Sequence, residues 1–284
     1  MDHSHIMAIK KSILKKIARL LMKSGMSRFF RIRRDGFVLR FYPSSLSRIL
    51  WVEQFTTEDK YRADREFFTR YLCPGDTVVD VGANIGLVSL TLSRLVGEQG
   101  RVYAFEPHPR VYKYLLGNIA INRVENIHAF NVALGDTEGV VRFADRRRGD
   151  DRSSVASDGR GIAVPCHRLD RFDLPAVPLA LVKIDVEGYE KFVVQGAKAL
   201  LDRVSCIYFE AIESNFKTFG YTLRELLDLL VSYDFHILEG SRNETRIVSP
   251  SECTGRFSNL VAVRDVNALL SRTGFRLKQG SESQ

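Results

Sequence analysis

The stretch Thr77-Val78-Val79-Asp80-Val81-Gly82-Ala83-Asn84-Ile85-Gly86 decides the fold class of this chain. Its first three residues favour a strand, an acid and a turn containing glycine follow, and residues 87–96 are compatible with a helix. Because glycine has no Cβ, a ligand can approach the backbone N–H groups of such a loop at the start of a helix. The stretch therefore predicts a strand, a tight loop and a helix, with the loop as the first candidate binding site.

Strand and helix patterns alternate along the rest of the chain. Residues 102–106 form a second strand pattern, 109–123 a helix pattern, and further strand patterns cover 126–132, 179–184 and 204–209. This alternation is typical of an α/β protein with a doubly wound, mostly parallel sheet. In such sheets, ligands bind outside the carboxyl ends of the strands. Read from the sequence, those ends are residues 80–86, 106–108, 131–133, 185–187 and Glu210.

The net charge of +8 is concentrated in one segment. Residues 1–40 hold 11 Lys or Arg against Asp2 and Asp35, a net +9, so the remaining 31 basic and 32 acidic residues sum to −1. A nucleic-acid channel normally draws positive charge from several segments, so this distribution argues against nucleic acid as a partner. It favours a local docking surface on an electrically balanced body.

Residues 9–23 carry the pattern of a basic amphipathic helix. Two interpretations remain open: the apolar stripe packs on its own domain or on a second subunit, or it lies on a membrane surface that contains anionic lipid. Self-association and peripheral membrane contact through this helix are therefore both expectations. The apolar positions are Ile13, Leu14, Ile17, Leu20 and Leu21, opposite Lys10, Lys11, Lys15, Lys16, Arg19 and Lys23.

Other sequence patterns indicate where in the cell the protein is located. No run approaches the about 20 apolar residues that span a bilayer, and the N-terminus lacks the features of a secretory signal. The cysteines, Cys73, Cys166, Cys206 and Cys253, lie far apart without CxxC spacing, which indicates reduced thiols. A cytoplasmic protein, peripheral on a membrane if its basic helix docks there, is the expectation.

Glu106 follows Gly86 by 20 residues, a spacing that suits an adenosine-bearing ligand. A carboxylate at the tip of the second strand can accept hydrogen bonds from both ribose hydroxyls. The glycine loop is neither GxGxxG nor GxxxxGK[ST], so it fits nicotinamide dinucleotides poorly and gives nucleoside triphosphate hydrolysis no support. Residues 185–188 stand where a base-flipping nucleic-acid methylase would carry an NPPY-like motif.

Three motifs occur in order: Asp80-Val81-Gly82-Ala83-Asn84-Ile85-Gly86, Tyr103-Ala104-Phe105-Glu106-Pro107 and Val182-Lys183-Ile184-Asp185-Val186-Glu187-Gly188. Together they resemble the FkbM-type S-adenosylmethionine-dependent methyltransferases over roughly residues 60–240. The resemblance implies a Rossmann-like class I methyltransferase fold, with a seven-stranded sheet and helices on both faces. It also implies methyl transfer from S-adenosylmethionine, usually to a hydroxyl of a sugar or secondary metabolite.

The resemblance divides the chain and assigns its cofactor site. Residues 1–55 are expected to form an appendage of basic helix and short strand, 56–270 the methyltransferase domain and 271–284 a polar tail. Asp80 either reaches the cofactor's amino group through water or fixes the loop, and His108 either flanks the adenine or is a surface residue. The cofactor-binding residues implied are Asp80, Gly82, Ala83, Asn84 and Gly86 for methionine and ribose, Glu106 for the ribose hydroxyls, and Pro107, His108, Asn131, Val132 and Ala133 around the adenine.

The candidate residues for binding or activating the methyl acceptor are mostly acidic. Asp185 and Glu187 stand at a strand end beside the expected methyl group, so either is a candidate general base. With Glu210 they could instead bind Mg²⁺, for which Asp185 and Glu210 are the candidate ligands. Glu187 and Glu190 could also simply cap the next helix. His167 is a further base candidate, although a structural role is favoured for it.

The acceptor itself is a hydroxylated small molecule or glycan in the leading interpretation. N-methylation of a protein or small amine, and a non-catalytic adenosyl-binding protein that docks on a membrane, are the alternatives. The polar run 145–160 is a candidate substrate lid, or merely a solvated connection. Which hydroxyl is methylated, the metal dependence and the oligomeric state are not indicated by the sequence.

Overall fold

The computed structural model of the 284-residue chain describes residues 3–143, 155, 161–241, 244–251 and 259–278. Except for Val155, the candidate lid at 145–160 lies outside these residues, as does the end of the predicted polar tail at 279–284. Among the described cysteines, Cys73, Cys166 and Cys206 are free thiols. None of the described helices combines the length and the apolar character needed to cross a membrane.

The described residues contain nine α-helices and fourteen β-strands. The helices are α1 His3–Lys23, α2 Ser45–Glu53, α3 Arg62–Tyr71, α4 Leu87–Val96, α5 Pro109–Asn122, α6 Glu190–Gln195, α7 Glu213–Thr218, α8 Leu223–Val231 and α9 Val266–Thr273. The strands are β1 Arg31–Arg34, β2 Phe37–Arg40, β3 Thr77–Val81, β4 Arg101–Phe105, β5 Ile127–Phe130, β6 Ala133–Leu134, β7 Gly139–Phe143, β8 Ile162–His167, β9 Leu179–Ile184, β10 Cys206–Glu210, β11 His236–Ser241, β12 Glu244–Ile247, β13 Asn259–Val263 and β14 Arg276–Leu277.

The main sheet has the strand order β14-β12-β11-β13-β10-β9-β3-β4-β5 among the described residues. The five strands from β10 to β5 are parallel, and β13 runs antiparallel to both β10 and β11. The order reverses between β3 and β9, so the sheet is doubly wound, as predicted. The seven strands from β11 to β5 correspond to the predicted seven, and β12 and β14 extend that edge to nine. A smaller sheet has the order β6-β8-β7.

Helices cover both faces because the central strands are apolar on both faces. Every residue of β3 and β9 is buried. Side chains alternate along a strand, so Val78 joins one hydrophobic cluster, with Leu90 of α4, whereas Val79 and Val81 join another, with Leu226 of α8. Two cores therefore enclose β3 and hold its carboxyl end rigidly at the reversal point.

The N-terminal segment packs on the same core as the sheet. Ile32, Leu39 and Leu50 are completely buried and belong to the cluster that contains Val78. Asn122 of α5 fastens this segment, because its side chain accepts a hydrogen bond from the Val38 N–H at 2.9 Å and donates to the Val38 carbonyl at 2.8 Å. Residues 54–61 separate α2 from α3.

Candidate active site

A cavity of about 340 Å³ opens at the carboxyl ends of β3, β4, β9 and β10. This is the position at which ligands bind in doubly wound sheets, and the volume is within the usual range for a small-molecule site. Of the sequence-predicted residues, the lining includes Gly82, Ala83, Asn84, Glu106, Pro107, His108, Val132, Ala133, Asp185, Glu187 and Glu210. Asp80, Gly86 and Asn131 do not line it.

Two glycines of the loop allow close packing of the protein on itself. Gly82 has a φ of +80°, and a Cβ placed on it would lie 1.9 Å from the carbonyl oxygen of Asp185. A Cβ on Gly86, at φ +90°, would lie 2.6 Å from Leu115 of α5. Gly82 therefore permits the contact between the loop and the end of β9, and Gly86 permits the packing of α4 against α5.

Glu106 is a buried carboxylate that faces the cavity, with 6% of its surface exposed. Its Oε2 accepts a hydrogen bond from the Asn84 N–H at 2.9 Å, and its Oε1 accepts one from the His108 N–H at 2.8 Å. Burial raises the pKa of Glu106 to about 7. Since each carboxylate oxygen has a second lone pair, Glu106 can still accept hydrogen bonds from two vicinal hydroxyls. The free acceptor positions of Glu106 fit the two ribose hydroxyls of S-adenosylmethionine.

The loop after β4 is fixed by side chains around Glu106. His108 is buried, which excludes the surface position considered for it, and its Nδ1 accepts a hydrogen bond from the Arg110 N–H at 3.1 Å to cap α5. Asn131 donates from Nδ2 to the carbonyls of Glu106 and Pro107, at 2.8 and 2.9 Å. Asn131 therefore orders the loop from behind, while Val132 and Ala133 supply apolar lining beside it.

Asp80 lies beneath the glycine loop and is completely buried. Ser89 donates a hydrogen bond from Oγ to its Oδ2 at 2.5 Å, and Nζ of Lys183 is 3.1 Å from its Oδ1. These contacts correspond to the loop-fixing role among the two that the sequence left open.

Lys183 is a site residue to which sequence reasoning assigned no role. It lines the cavity, its Nζ donates to the Gly82 carbonyl at 3.1 Å, and it is 3.7 Å from the Asp185 carboxylate. Burial lowers the pKa of Lys183, but Asp80 and Asp185 outweigh burial and leave that pKa raised. The sequence does contain a signal for a special role of Lys183, because this lysine is the single polar residue in the apolar run 179–184.

Three carboxylates meet at the ends of β9 and β10. Each of Asp185, Glu187 and Glu210 offers an oxygen, and these oxygens lie within 4.8 Å of one another. Asn215 donates from Nδ2 to Glu187 at 3.2 Å and to Glu210 at 3.3 Å. Burial first, and then the charges of Asp185 and Glu187, raise the pKa of Glu210 to about 8. The cluster therefore takes up a proton near neutral pH.

Glu190, one of the two acids considered as helix caps, begins α6 and binds the loop that precedes this helix. Its Oε1 accepts hydrogen bonds from the N–H groups of Val186 at 3.1 Å and Gly188 at 3.3 Å, in the loop before α6. Glu187, in contrast, lines the cavity at φ +55°.

Asp64 is a second residue that sequence reasoning missed. It projects from α3 into the cavity, where its Oδ1 accepts hydrogen bonds from the Tyr208 hydroxyl at 2.5 Å and the Asn259 amide at 2.8 Å. Burial raises the pKa of Asp64. Its partners follow it by 144 and 195 residues, so no local pattern could have indicated this group.

His167 is not brought to the cavity. Its Nδ1 lies 2.6 Å from Oε2 of Glu138, which also accepts a hydrogen bond from Arg171 at 2.7 Å. The pKa of Glu138 is lowered to about 2, most by the hydrogen bond from the Arg168 backbone N–H and then by these two interactions. The structural role that the sequence favoured for His167 agrees with this position.

Comparisons with known proteins show which protein family this chain resembles. The family model described as "Methyltransferase FkbM domain" matches residues 80–237, more than half of the chain. The 2-O-methyltransferase NoeI of Sinorhizobium fredii is 26% identical over 182 residues, which cover 57% of this chain and 73% of that protein. Methyltransferase sdnD of Sordaria araneosa is 38% identical over 65 residues, 22% of this chain and 25% of that protein.

Solved structures also match. An S-adenosylmethionine-dependent O-methyltransferase from Thermotoga maritima is 15% identical with a TM-score of 0.42, covering 83% of this chain and 77% of that one. Fibrillarin from Aeropyrum pernix, with natively bound S-adenosylmethionine, is 15% identical with a TM-score of 0.39, covering 68% of each chain. The domain match confirms the resemblance seen in the sequence: the chain belongs to the FkbM methyltransferase domain family and is an S-adenosylmethionine-dependent methyltransferase.

Proposed function

We propose that this protein transfers the methyl group of S-adenosylmethionine to a hydroxyl of a saccharide or of a small hydroxylated metabolite. The observation that carries the proposal is one cavity lined by Glu106 and by the carboxylates of Asp185, Glu187 and Glu210. β4 and β9 flank β3 on opposite sides, so Glu106 and Asp185 follow strands separated by roughly 10 Å. A cofactor at Glu106 and an acceptor at the carboxylates can therefore occupy one cavity side by side.

The cofactor end would hold S-adenosylmethionine through Glu106 and the loop around Ala83 and Asn84. Glu106 would accept hydrogen bonds from the ribose hydroxyls, and Val132 and Ala133 would supply apolar surface for the adenine. When bound, S-adenosylmethionine supplies an electrophilic methyl group on a sulfonium centre. The protein's task is to orient an acceptor oxygen toward that methyl group and to remove its proton.

The carboxylate cluster would remove the proton. An alcohol holds its proton tightly at neutral pH, so a nearby base accelerates methyl transfer by accepting the proton as the new bond forms. Asp185 and Glu187 are the candidate bases that contact the acceptor oxygen. Glu210, with a pKa of about 8, can share the proton with them.

The other walls of the cavity suit a polyhydroxylated acceptor. Asp64 and Asn259 present hydrogen-bonding groups that suit the hydroxyls at the edge of a sugar ring, and Tyr61 and Ile49 present apolar surface that suits its C–H groups. The name of the Sinorhizobium relative, a 2-O-methyltransferase, also supports a hydroxyl acceptor.

Mg²⁺ is the alternative occupant of the carboxylate cluster, because three carboxylate oxygens at this spacing suit a hard cation. We favour the proton instead. Asn215 already directs an amide donor at Glu187 and Glu210, and the raised pKa of Glu210 gives the cluster a way to reduce its own repulsion. Treatment with a chelator should leave methyl transfer intact, and a loss of transfer that added Mg²⁺ restores would favour the metal.

Transfer of labelled methyl groups from S-adenosylmethionine to a panel of saccharides, hydroxylated small molecules, amines and a protein mixture tests the proposal. We expect label on hydroxylated acceptors, with Asp185→Asn and Glu187→Gln each lowering kcat at least about 100-fold if that side chain is the base. Binding of S-adenosylhomocysteine should persist in both variants. Asp173→Asn, which neutralises an exposed acid outside the cavity lining, is the matched control.

Label on amines alone would overturn O-methylation in favour of N-methylation. Binding of S-adenosylhomocysteine without transfer to any acceptor in the panel would favour the non-catalytic alternative.

A further inference from the structure

Helix α1 presents two apolar faces, of which the protein covers one. Ala18 is completely buried, and Leu14, Leu21 and Met22 pack against the main hydrophobic core. A second set of aliphatic side chains points away from that core and is between 42% and 67% exposed. These are Ile6, Ile9, Ile13, Ile17 and Leu20. Their spacing of three or four residues places them on one side of the helix, and we call this set the outer stripe.

Positive charge borders the outer stripe. The sequence of α1 contains six Lys or Arg and no Asp or Glu. At 3.6 residues per turn, Lys16 and Lys23 lie along one margin of the stripe and Lys10 along the other. All three are exposed. Lys11, in contrast, points to the packed side, where it forms an ion pair with Glu58 at 2.6 Å.

We propose that the outer stripe of α1 docks on an anionic lipid surface. An apolar stripe bordered by lysines and without acids is the arrangement of a helix that lies in a membrane interface, where aliphatic side chains enter the acyl region and ammonium groups meet lipid phosphates. The side chains of lysine reach outward along the margins, so charge and apolar contact are made together. The exposed Met26 and Phe29, just beyond the helix, add apolar groups near it.

A second copy of this chain is a poorer occupant. Two copies joined through the outer stripe would bring lysine margins toward lysine margins, and like charges in contact oppose association. A stable interface also needs about 800 Å² from each partner, more than one stripe of five partly exposed side chains provides. An anionic surface instead complements both the apolar centre and the positive margins of the stripe.

Flotation with lipid vesicles tests the proposal. The full-length protein should float with vesicles of phosphatidylcholine and phosphatidylglycerol, should not float with phosphatidylcholine alone, and should be released as salt increases. The variant I9S/I13S/L20S should lose binding at least about tenfold, because three aliphatic side chains no longer enter the acyl region. The variant K10Q/K16Q should lose binding about 30-fold, because each lysine near an anionic surface strengthens binding about fivefold.

Matched controls distinguish the loss of the outer stripe from a general loss of surface apolar groups or surface charge. V140S/V177S/I247S removes three exposed apolar side chains elsewhere, and K113Q/K198Q removes two exposed lysines elsewhere. Both should float like the unmodified protein. Binding of S-adenosylhomocysteine and an unchanged Tm would show that each variant is folded.

Absence of flotation with anionic vesicles would overturn the proposal, as would equal flotation of the stripe variants and the controls. Light scattering tests whether a second copy of the chain binds the outer stripe. A dimer that I9S/I13S/L20S converts to a monomer would assign the stripe to self-association and reject the lipid surface.

Discussion

The ammonium group of Lys183 lies 3.1 Å from a carboxylate oxygen of Asp80, and at most 7% of either side chain is exposed. This pair joins β3 to β9 at the point where the strand order reverses. The same ammonium donates to the Gly82 carbonyl and lies 3.7 Å from the Asp185 carboxylate, so one side chain contacts both the glycine loop and the acid that follows β9. The ion pair is therefore a structural part of the site.

Lys183→Met should destabilise the protein by about 3–5 kcal/mol, because it leaves the carboxylate of Asp80 buried without its cation. Urea unfolding monitored by circular dichroism measures the effect. The double variant K183M/D80N should recover part of the loss, since it removes both charges and keeps similar volume. Unchanged stability in the single variant would show that Asp80 does not depend on this lysine.

Gly82→Ala should destabilise more than Gly75→Ala, although both glycines have similar positive φ angles, +80° and +90°. The Gly75 variant carries only the backbone strain of an alanine in that region, about 1–2 kcal/mol, because its Cβ meets no atom within 4 Å. The Gly82 variant adds the collision with the Asp185 carbonyl, for which we expect about 2 kcal/mol more.

Thermal unfolding and calorimetry with S-adenosylhomocysteine compare the two glycine variants. The Gly75 variant should bind normally, whereas the Gly82 variant should bind at least about tenfold more weakly. Equal losses in both would mean that the loop adjusts around the new methyl group.

Local sequence patterns predicted several of the residues that line the Glu106 end of the cavity. The strand pattern before Gly82 and the acid at Glu106 are each defined within a few residues, and parallel strands bring such ends to one edge of the sheet. The glycine loop was predicted as ligand-binding in all its parts, but Gly86 packs on Leu115. A spacing of glycines indicates a tight turn without indicating what comes close to it.

The opposite end of the cavity depends on contacts that no local pattern encodes. Asp64 meets Tyr208 and Asn259 because the fold brings α3 close to β10 and β13. The basic helix shows the same limit: the sequence identified one apolar stripe, but whether Ile13 and Leu14 face the same neighbour depends on where the core lies. In the structure Leu14 packs inward and Ile13 is 52% exposed.

Binding of S-adenosylhomocysteine should weaken by about tenfold from pH 8 to pH 6. In the proposed binding mode the ribose hydroxyls donate to the ionised form of Glu106, and a pKa of about 7 means that the free protein must lose a proton before binding at the lower pH. Glu106→Gln should bind more weakly at pH 8 and lack most of this pH dependence. Calorimetry at three pH values is the measurement, and an equally steep decline in the variant would assign the proton to another group.

Glu190→Gln should stabilise the protein at pH 8 by on the order of 2 kcal/mol and have little effect at pH 5. Glu190 is completely buried, and burial raises its pKa from 4.5 to about 7. The folded state therefore binds more protons than the unfolded state between these values, so this group's contribution to stability falls as pH rises from about 4.5 to 7. The glutamine carries no charge but keeps the oxygen that accepts hydrogen bonds from Val186 and Gly188.

Glu190→Ala is the control for that comparison, because it removes the hydrogen-bond acceptor of two N–H groups in the loop before α6. It should lose about 1–3 kcal/mol at both pH values. Urea unfolding at pH 5 and pH 8 distinguishes the two contributions. If the glutamine variant were instead less stable than the unmodified protein at pH 8, the charge of Glu190 would be favourable in place, and the loop that carries Asp185 and Glu187 would depend on an ionised anchor.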